Sequence, residues 1–264
     1  MKKKEVVKLL LVGFLTILFT IGCSLPGFNN SEDNNSPNNN PPNNGDSDQE
    51  VTIEWGIDTA SLVTEDFYDC VVNEFGEPEF IGRYMLQIEG VSFKMTQEEI
   101  QLIHENNARI LPIYNGVSEA TGYEHAINHA EEAINIAQEL GIPEGTPIIV
   151  DIEPSFPVDQ EFIRGWVESI SNSSYEPGIY GVFQPDTAVS NAYVSYKEQY
   201  GVTDEDVVIW SANPTGITTK ANAPEFNPGA PQGIDVEIWQ YGLDAQACNI
   251  DTNLILSSTL DDLW

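Results

Sequence analysis

Asp151 and Glu153 stand one residue apart at the end of the apolar run "TPIIVDIEPS", residues 146–155. Alternate residues of a strand project to the same face, about 6.5–7 Å apart along the chain. Both carboxyls therefore face whatever the strand's end borders. Two acids that close and partly shielded from water resist ionising together, so one pKa rises. An acid kept protonated beside one that stays ionised is what glycoside cleavage needs. The first gives its proton to the leaving oxygen, and the second stabilises positive charge on the sugar. Glu153 lies farther out and suits the proton donor; Asp151 lies deeper and suits an orienting or polarising role. Asp58, in "TIEWGID", and Asp251, in "CNIDTNLIL", are two further acids of strand-like runs. Arg83, Tyr84, Tyr114, Tyr180, Trp210, Trp239, Gln240 and Tyr241 also fall at run ends, where flat rings could stack on sugar faces.

Structural roles compete with each of these assignments. Asp58, followed by "TAS", could cap a turn. Asp151 and Glu153 could form buried ion pairs with Arg83 as the nearest cation, and the tryptophans could simply pack. Other chemistries have weaker support. His125 and His129 have the i, i+4 spacing of a zinc pair, but no Glu follows the first His. No metal and no cofactor is expected. "GEPEFIGRY" and "GIPEGTP" lack phosphate-loop spacing, and three histidines offer no Ser-His-Asp or Cys-His constellation.

Alternating elements must position these side chains. Strand-like runs are "TIEWGID", "EFIGRYM", "ARILPIYN", "PIIVDIE", "YEPGIYG", "DVVIWSAN", "DVEIWQYG" and "CNIDTNLIL". Helical patterns separate the first six. The segment beginning at Thr64 is stopped by Gly76, and Thr96 with Glu99 forms a capping box. The longest helix has Ala126, Ala130, Ala133 and Ala137 at helical spacing, with Gly141 past its end. Strands alternating with helices predict βα units around a parallel sheet, and eight such strands fit a closed (β/α)₈ barrel. "PTGITTKANAPEFNPGAPQGI", between strands six and seven, has no helical period. The expected fold is thus an irregular α/β barrel lacking one helix, with its site at the C-terminal strand ends.

Residues 51–264 supply this barrel. Ahead of them, Lys2, Lys3, Lys4 and Lys8 precede the apolar "LLLVGFLTILFTIG", the pattern of an export signal over residues 1–23. Its ending "TIGC" resembles a bacterial lipobox, with Thr20 where such motifs usually carry Leu, and predicts a lipid on Cys23. Residues 24–50, rich in Asn, Pro and Ser, read as a disordered tether reaching about 28 Å on average. Beyond residue 23 the chain has 6 basic and 41 acidic side chains, a net of −35, which argues against nucleic acid as a partner. Cys70 and Cys248 are then the remaining cysteines; in an exported chain they either pair or stay as buried thiols.

"WGIDTAS", "IIVDIE", "EIWQYG" and "NIDTN" together resemble the family 25 glycoside hydrolases, the lysozyme-type muramidases. The resemblance spans roughly residues 53–256. It is closer still to their secreted bacterial relatives, glycoside hydrolase-like domains of unsettled activity, which "WSANPTG" and "RYM" fit better. It implies an irregular barrel acting on peptidoglycan. Asp58 would match the first-strand acid, Asp151 and Glu153 the central pair with Glu153 as proton donor, and Asp251 the last-strand acid. Two functions follow as expectations. One is a monomeric glycosidase of the cell wall, lipid-anchored outside the membrane; the other is a non-catalytic wall-glycan binding or envelope-organising protein on the same barrel.

Overall fold

The computed structural model describes residues 51–203 and 206–264. The export signal, the lipid-bearing Cys23 and the tether expected over residues 1–50 lie outside the described residues. Eight strands close into a barrel in chain order: β1 (Ile53–Thr59), β2 (Phe80–Tyr84), β3 (Arg109–Tyr114), β4 (Pro147–Asp151), β5 (Glu176–Gly181), β6 (Val208–Ala212), β7 (Ile238–Gly242) and β8 (Asp251–Leu256). The first five connections carry α1 (Glu65–Glu74), α2 (Gln97–Glu105), α3 (Tyr123–Leu140), α4 (Gln160–Ser171) and α5 (Ala188–Tyr200). The Pro- and Gly-rich stretch after β6 holds only a 3₁₀ turn, Lys220–Asn222, so the helix missing from the sequence pattern is missing from the fold. A short α6 (Ser257–Asp261) follows β8.

Local chemistry explains these elements. The Thr64 hydroxyl accepts from the Phe67 N–H, Thr96 and Glu99 form the reciprocal capping box, and Asp159 caps α4 through the Phe162 N–H. Gly141 ends α3 at φ +81°, a left-handed conformation that costs glycine little. All five residues of β4 are buried, as expected of a strand covered on both faces. The alanine stripe of α3 is wholly buried, and α4 approaches so closely that a Cβ on Gly165 would sit 2.6 Å from the Tyr123 carbonyl oxygen. Phe80, Leu111, Ile113, Ile149, Trp210, Ile238 and Ile255 form one buried cluster of strand residues, joined by Leu263 near the chain's end.

The irregular barrel read from the sequence is the observed fold, with one difference in strand direction. The strand pattern predicts a parallel sheet, yet β8 runs antiparallel to both β1 and β7. Parallel neighbours need a crossover of about a dozen residues or more, and only residues 243–250 separate β7 from β8. The consequence for the site is direct. Asp251 opens β8, but reversal sets it opposite Asp58, at the rim where the other strands end.

Cys70 of α1 and Cys248 of the β7–β8 connection form a disulfide, with Cα atoms 5.8 Å apart at a sequence separation of 178. A disulfide stabilises mainly by restricting the unfolded chain, and typical contributions are about 2–4 kcal/mol. Cys70→Ser should therefore lower the melting temperature by roughly 5–15 °C, at about 2–4 °C per kcal/mol for a domain this size. Calorimetry of the variant beside the reduced parent checks this; a shift under about 2 °C in both would remove the bridge from the stability account.

Candidate active site

The C-terminal ends of β1, β4 and β7 and the start of β8 bring carboxyl and amide groups to one cavity of about 190 Å³. Its lining includes Asp58, Asp151, Glu153 and Asp251, together with Tyr84, Tyr180, Trp210 and Gln240. Asp58 Oδ2 accepts from Gln240 Nε2 at 2.8 Å and from Asn253 Nδ2 at 2.7 Å. Gln240 Nε2 also reaches Asp251 Oδ2 at 3.3 Å, while its Oε1 accepts from the Tyr180 hydroxyl at 2.7 Å. Trp210 Nε1 donates to Asn253 Oδ1 at 2.9 Å, and the Trp210 and Tyr180 rings meet edge to face at 4.8 Å. Asp251 Oδ1 accepts from the Asp244 N–H at 2.7 Å. One connected network thus fixes Asp58 and Asp251. Asp151 has no such support: it is 8% exposed, and among the described residues its Oδ1 has no partner.

Burial dominates the electrostatics. Desolvation pushes Asp151 up to about 8, with repulsion from Glu153 and Asp58 adding to the shift. Asp58 rises to about 6, again through desolvation, against the opposing effect of its Asn253 and Gln240 hydrogen bonds and the charge of Arg83. Asp251 rises to about 7 through desolvation and the nearby Asp58. Glu153 is raised by desolvation alone. It also lines a second, mainly apolar cavity of about 230 Å³ with Ile152, Phe156, Val158, Val182 and Val189. A larger cavity of about 620 Å³, lined by Glu176, Asp206, Glu237 and Asp262, opens among the residues where strands begin, away from these acids.

Raised carboxyl pKa values bear on stability. In the unfolded chain such groups lose their protons near pH 4, whereas the folded protein holds the Asp151 proton to about pH 8. Across that window the native state binds more protons, so stability falls as pH rises. The melting temperature should decline between pH 5 and 8, and Asp151→Asn should flatten that decline. Parallel slopes for the two proteins would contradict the assignment of the buried proton to Asp151.

Four residues expected at the rim point elsewhere. With Tyr84, Ile113 and Gln240 facing the cavity, strand alternation turns Arg83, Tyr114, Trp239 and Tyr241 outward. Arg83 is wholly buried; its guanidinium donates to the Glu99 carboxylate and the Thr59 carbonyl, and to the Phe93 carbonyl at 3.2 Å. It is therefore not the counterion of Asp151 or Glu153. The Tyr114 hydroxyl donates to Glu132 at 2.6 Å and lies 2.8 Å from His129 Nδ1 on α3. Trp239 Nε1 donates to the Asn213 carbonyl, and the Tyr241 hydroxyl accepts from Trp55 Nε1, each at 2.9 Å. His125 and His129 bring their Nε2 atoms to 3.0 Å of each other on α3. Among the described residues no group of three or more His, Cys, Asp or Glu is placed to hold a metal ion.

Ile113, Leu243 and Asp244 line the cavity, and Asn253 supports Asp58, although sequence reading singled out none of them. Asn253 carried a usable signal, because it follows Asp251 by two positions and must share its face. Asp244 carried none, since its place depends on the course of the β7–β8 connection.

Acids ringed by tyrosine and tryptophan at the mouth of an eight-stranded barrel define a glycoside hydrolase-like architecture. The chain belongs to the Rv2525c-like, glycoside hydrolase-like domain family, whose profile matches residues 77–254. It is similar to an uncharacterized B. stearothermophilus protein of known crystal structure, at 38% identity and a TM-score of 0.77, covering 80% of this chain and all of that one. The barrel also matches the Clostridium perfringens spore cortex lytic enzyme SleM, at 14% identity and a TM-score of 0.51, over 77% of this chain and 67% of that chain. A family GH25 lysozyme from Aspergillus fumigatus aligns at 12% identity and a TM-score of 0.48, over 80% of this chain and 99% of that one. No curated protein matches the sequence.

Proposed function

We propose that this protein is a monomeric glycosidase that cuts cell-wall glycan outside the cytoplasmic membrane, held there by a lipid on Cys23. The observation that carries the reading is the meeting of Asp58, Asp151, Glu153 and Asp251 in one aromatic-walled cavity, each with its pKa raised by burial. Glu153 borders both cavities beside the acids and serves as proton donor to the leaving oxygen. Asp58, fixed by two amides and ionised above about pH 6, provides the negative charge that an oxocarbenium-like transition state requires. Asp151, neutral to about pH 8, orients the substrate by hydrogen bonding and limits the charge packed beside Glu153.

Release of reducing ends from purified peptidoglycan by the full chain tests the proposal. Binding to the wall polymer without any release would favour the non-catalytic alternative. The anchor is tested separately. Cys23→Ala should move the protein from the membrane fraction to the medium or leave an unprocessed precursor. Normal processing and unchanged fractionation would remove the lipid from the proposal.

A further inference from the structure

We infer that the cavity selects glycan bearing free amino groups, a partly de-N-acetylated amino-sugar polymer, over its fully N-acetylated counterpart. The inference rests on the reading of this cavity as a glycan site and adds the charge of the preferred sugar. Asp58, Asp151, Glu153, Asp244 and Asp251 all line the cavity, and the lining includes no Lys, Arg or His. Among the described residues the one cation whose charge acts on Asp58 is Arg83, which faces away and is held by Glu99 and two backbone carbonyls. With no cation in the lining, the acids keep protons they would lose beside one, and a bound ammonium would favour their ionised form and turn mutual repulsion into attraction.

A second observation points the same way. Asp151 is 8% exposed and lines the cavity, yet its Oδ1 is buried without a hydrogen-bond partner among the described residues. An unsatisfied buried acceptor is costly, and an ammonium brings three donors where an acetamido group brings one. Tyr84, Tyr180 and Trp210 add aromatic surface, which also favours cations. At about 190 Å³ the cavity is smaller than the ~300–1,000 Å³ of most ligand pockets, so it seats one sugar while the rest of the polymer lies outside. The chain's formal net charge of −32 would draw a cationic polymer inward from a distance.

Titration calorimetry of the full chain at pH 6 and low salt compares a glucosamine tetramer with an N-acetylglucosamine tetramer. The amino tetramer should bind at least about tenfold tighter, a ratio that one well-placed charge can supply. Combining Asp151→Asn with Asp251→Asn should bring the two affinities within about twofold, because the preference arises inside the cavity rather than on the acidic surface. Equal affinities, tighter binding of the acetylated tetramer, no binding of either at millimolar concentration, or a preference surviving in the double variant would each overturn the inference. Release of reducing ends from peptidoglycan reports separately on the glycosidase. Cleavage without amine preference sinks this inference alone, whereas amine preference without cleavage sinks only the catalytic proposal.

Discussion

Glu153→Gln should lower turnover on cell-wall glycan at least about a hundredfold, since general acid catalysis typically contributes ~10²–10⁴-fold. The amide keeps the side chain's shape and removes its transferable proton. Asp151→Asn should lose a comparable factor, because an amide replaces the buried acidic O–H through which Asp151 orients the substrate. Neither change should cost the fold much. Asp151 Oδ1 has no hydrogen bond to lose among the described residues, and replacing a carboxyl that resists ionisation by an amide relieves strain at neutral pH. Turnover and melting temperature measured on the same samples decide the matter. A melting temperature that collapses while activity per folded molecule survives would make both acids structural.

Arg83→Met should show the opposite pattern. Arg83 is wholly buried and Glu99 is 3% exposed, so the substitution strands a carboxylate inside the protein. Removing one partner of a buried ion pair typically costs about 3–5 kcal/mol. At about 2–4 °C per kcal/mol, the melting temperature should fall by roughly 6–20 °C. The damage spreads beyond the pair. Glu99 also accepts from the Val63 N–H and closes the capping box of α2, while Arg83 holds the carbonyl of Thr59, the residue after Asp58. Arg83→Lys should rescue little, because an ammonium lacks the planar fork that serves three acceptors at once. Changing both partners, Arg83→Met with Glu99→Gln, should recover a substantial part of the loss. A single variant melting within about 2 °C of the parent would show that the buried pair contributes no net stability.

The strand order, the missing helix after β6 and the four acids of the cavity were legible because each rests on local pattern: apolar run length, turn composition and a carboxyl at a run's end. Facing was less legible because a strand's end alone does not say which of two neighbouring residues turns inward. Once Asp151 is taken as inward, that period settles its own strand, but every other strand needs its own anchor. Gln240 would have supplied one for β7 and excluded Trp239 and Tyr241 together. The reversal of β8 also had its signal in the eight residues between Gly242 and Asp251, too few for a parallel crossover. The partnership of Arg83 with Glu99 had no such local mark. It joins the outer face of β2 to the first turn of α2 through a packing contact that no short-range spacing specifies.

The reversed last strand also bears on how the molecule is made. Its ladder with β1 pairs Ile53 with Leu256 and Asp58 with Asp251, joining opposite ends of the folded region. Until that seam forms, β1 and β7 are open edges, the kind of surface that recruits foreign strands. Closing so distant a contact is entropically slow and leaves intermediates exposed to aggregation. Because Asp251 arrives with the seam, the acidic mouth is completed only in the finished barrel, and a chain interrupted before its last strand would carry three of the four acids on an open sheet.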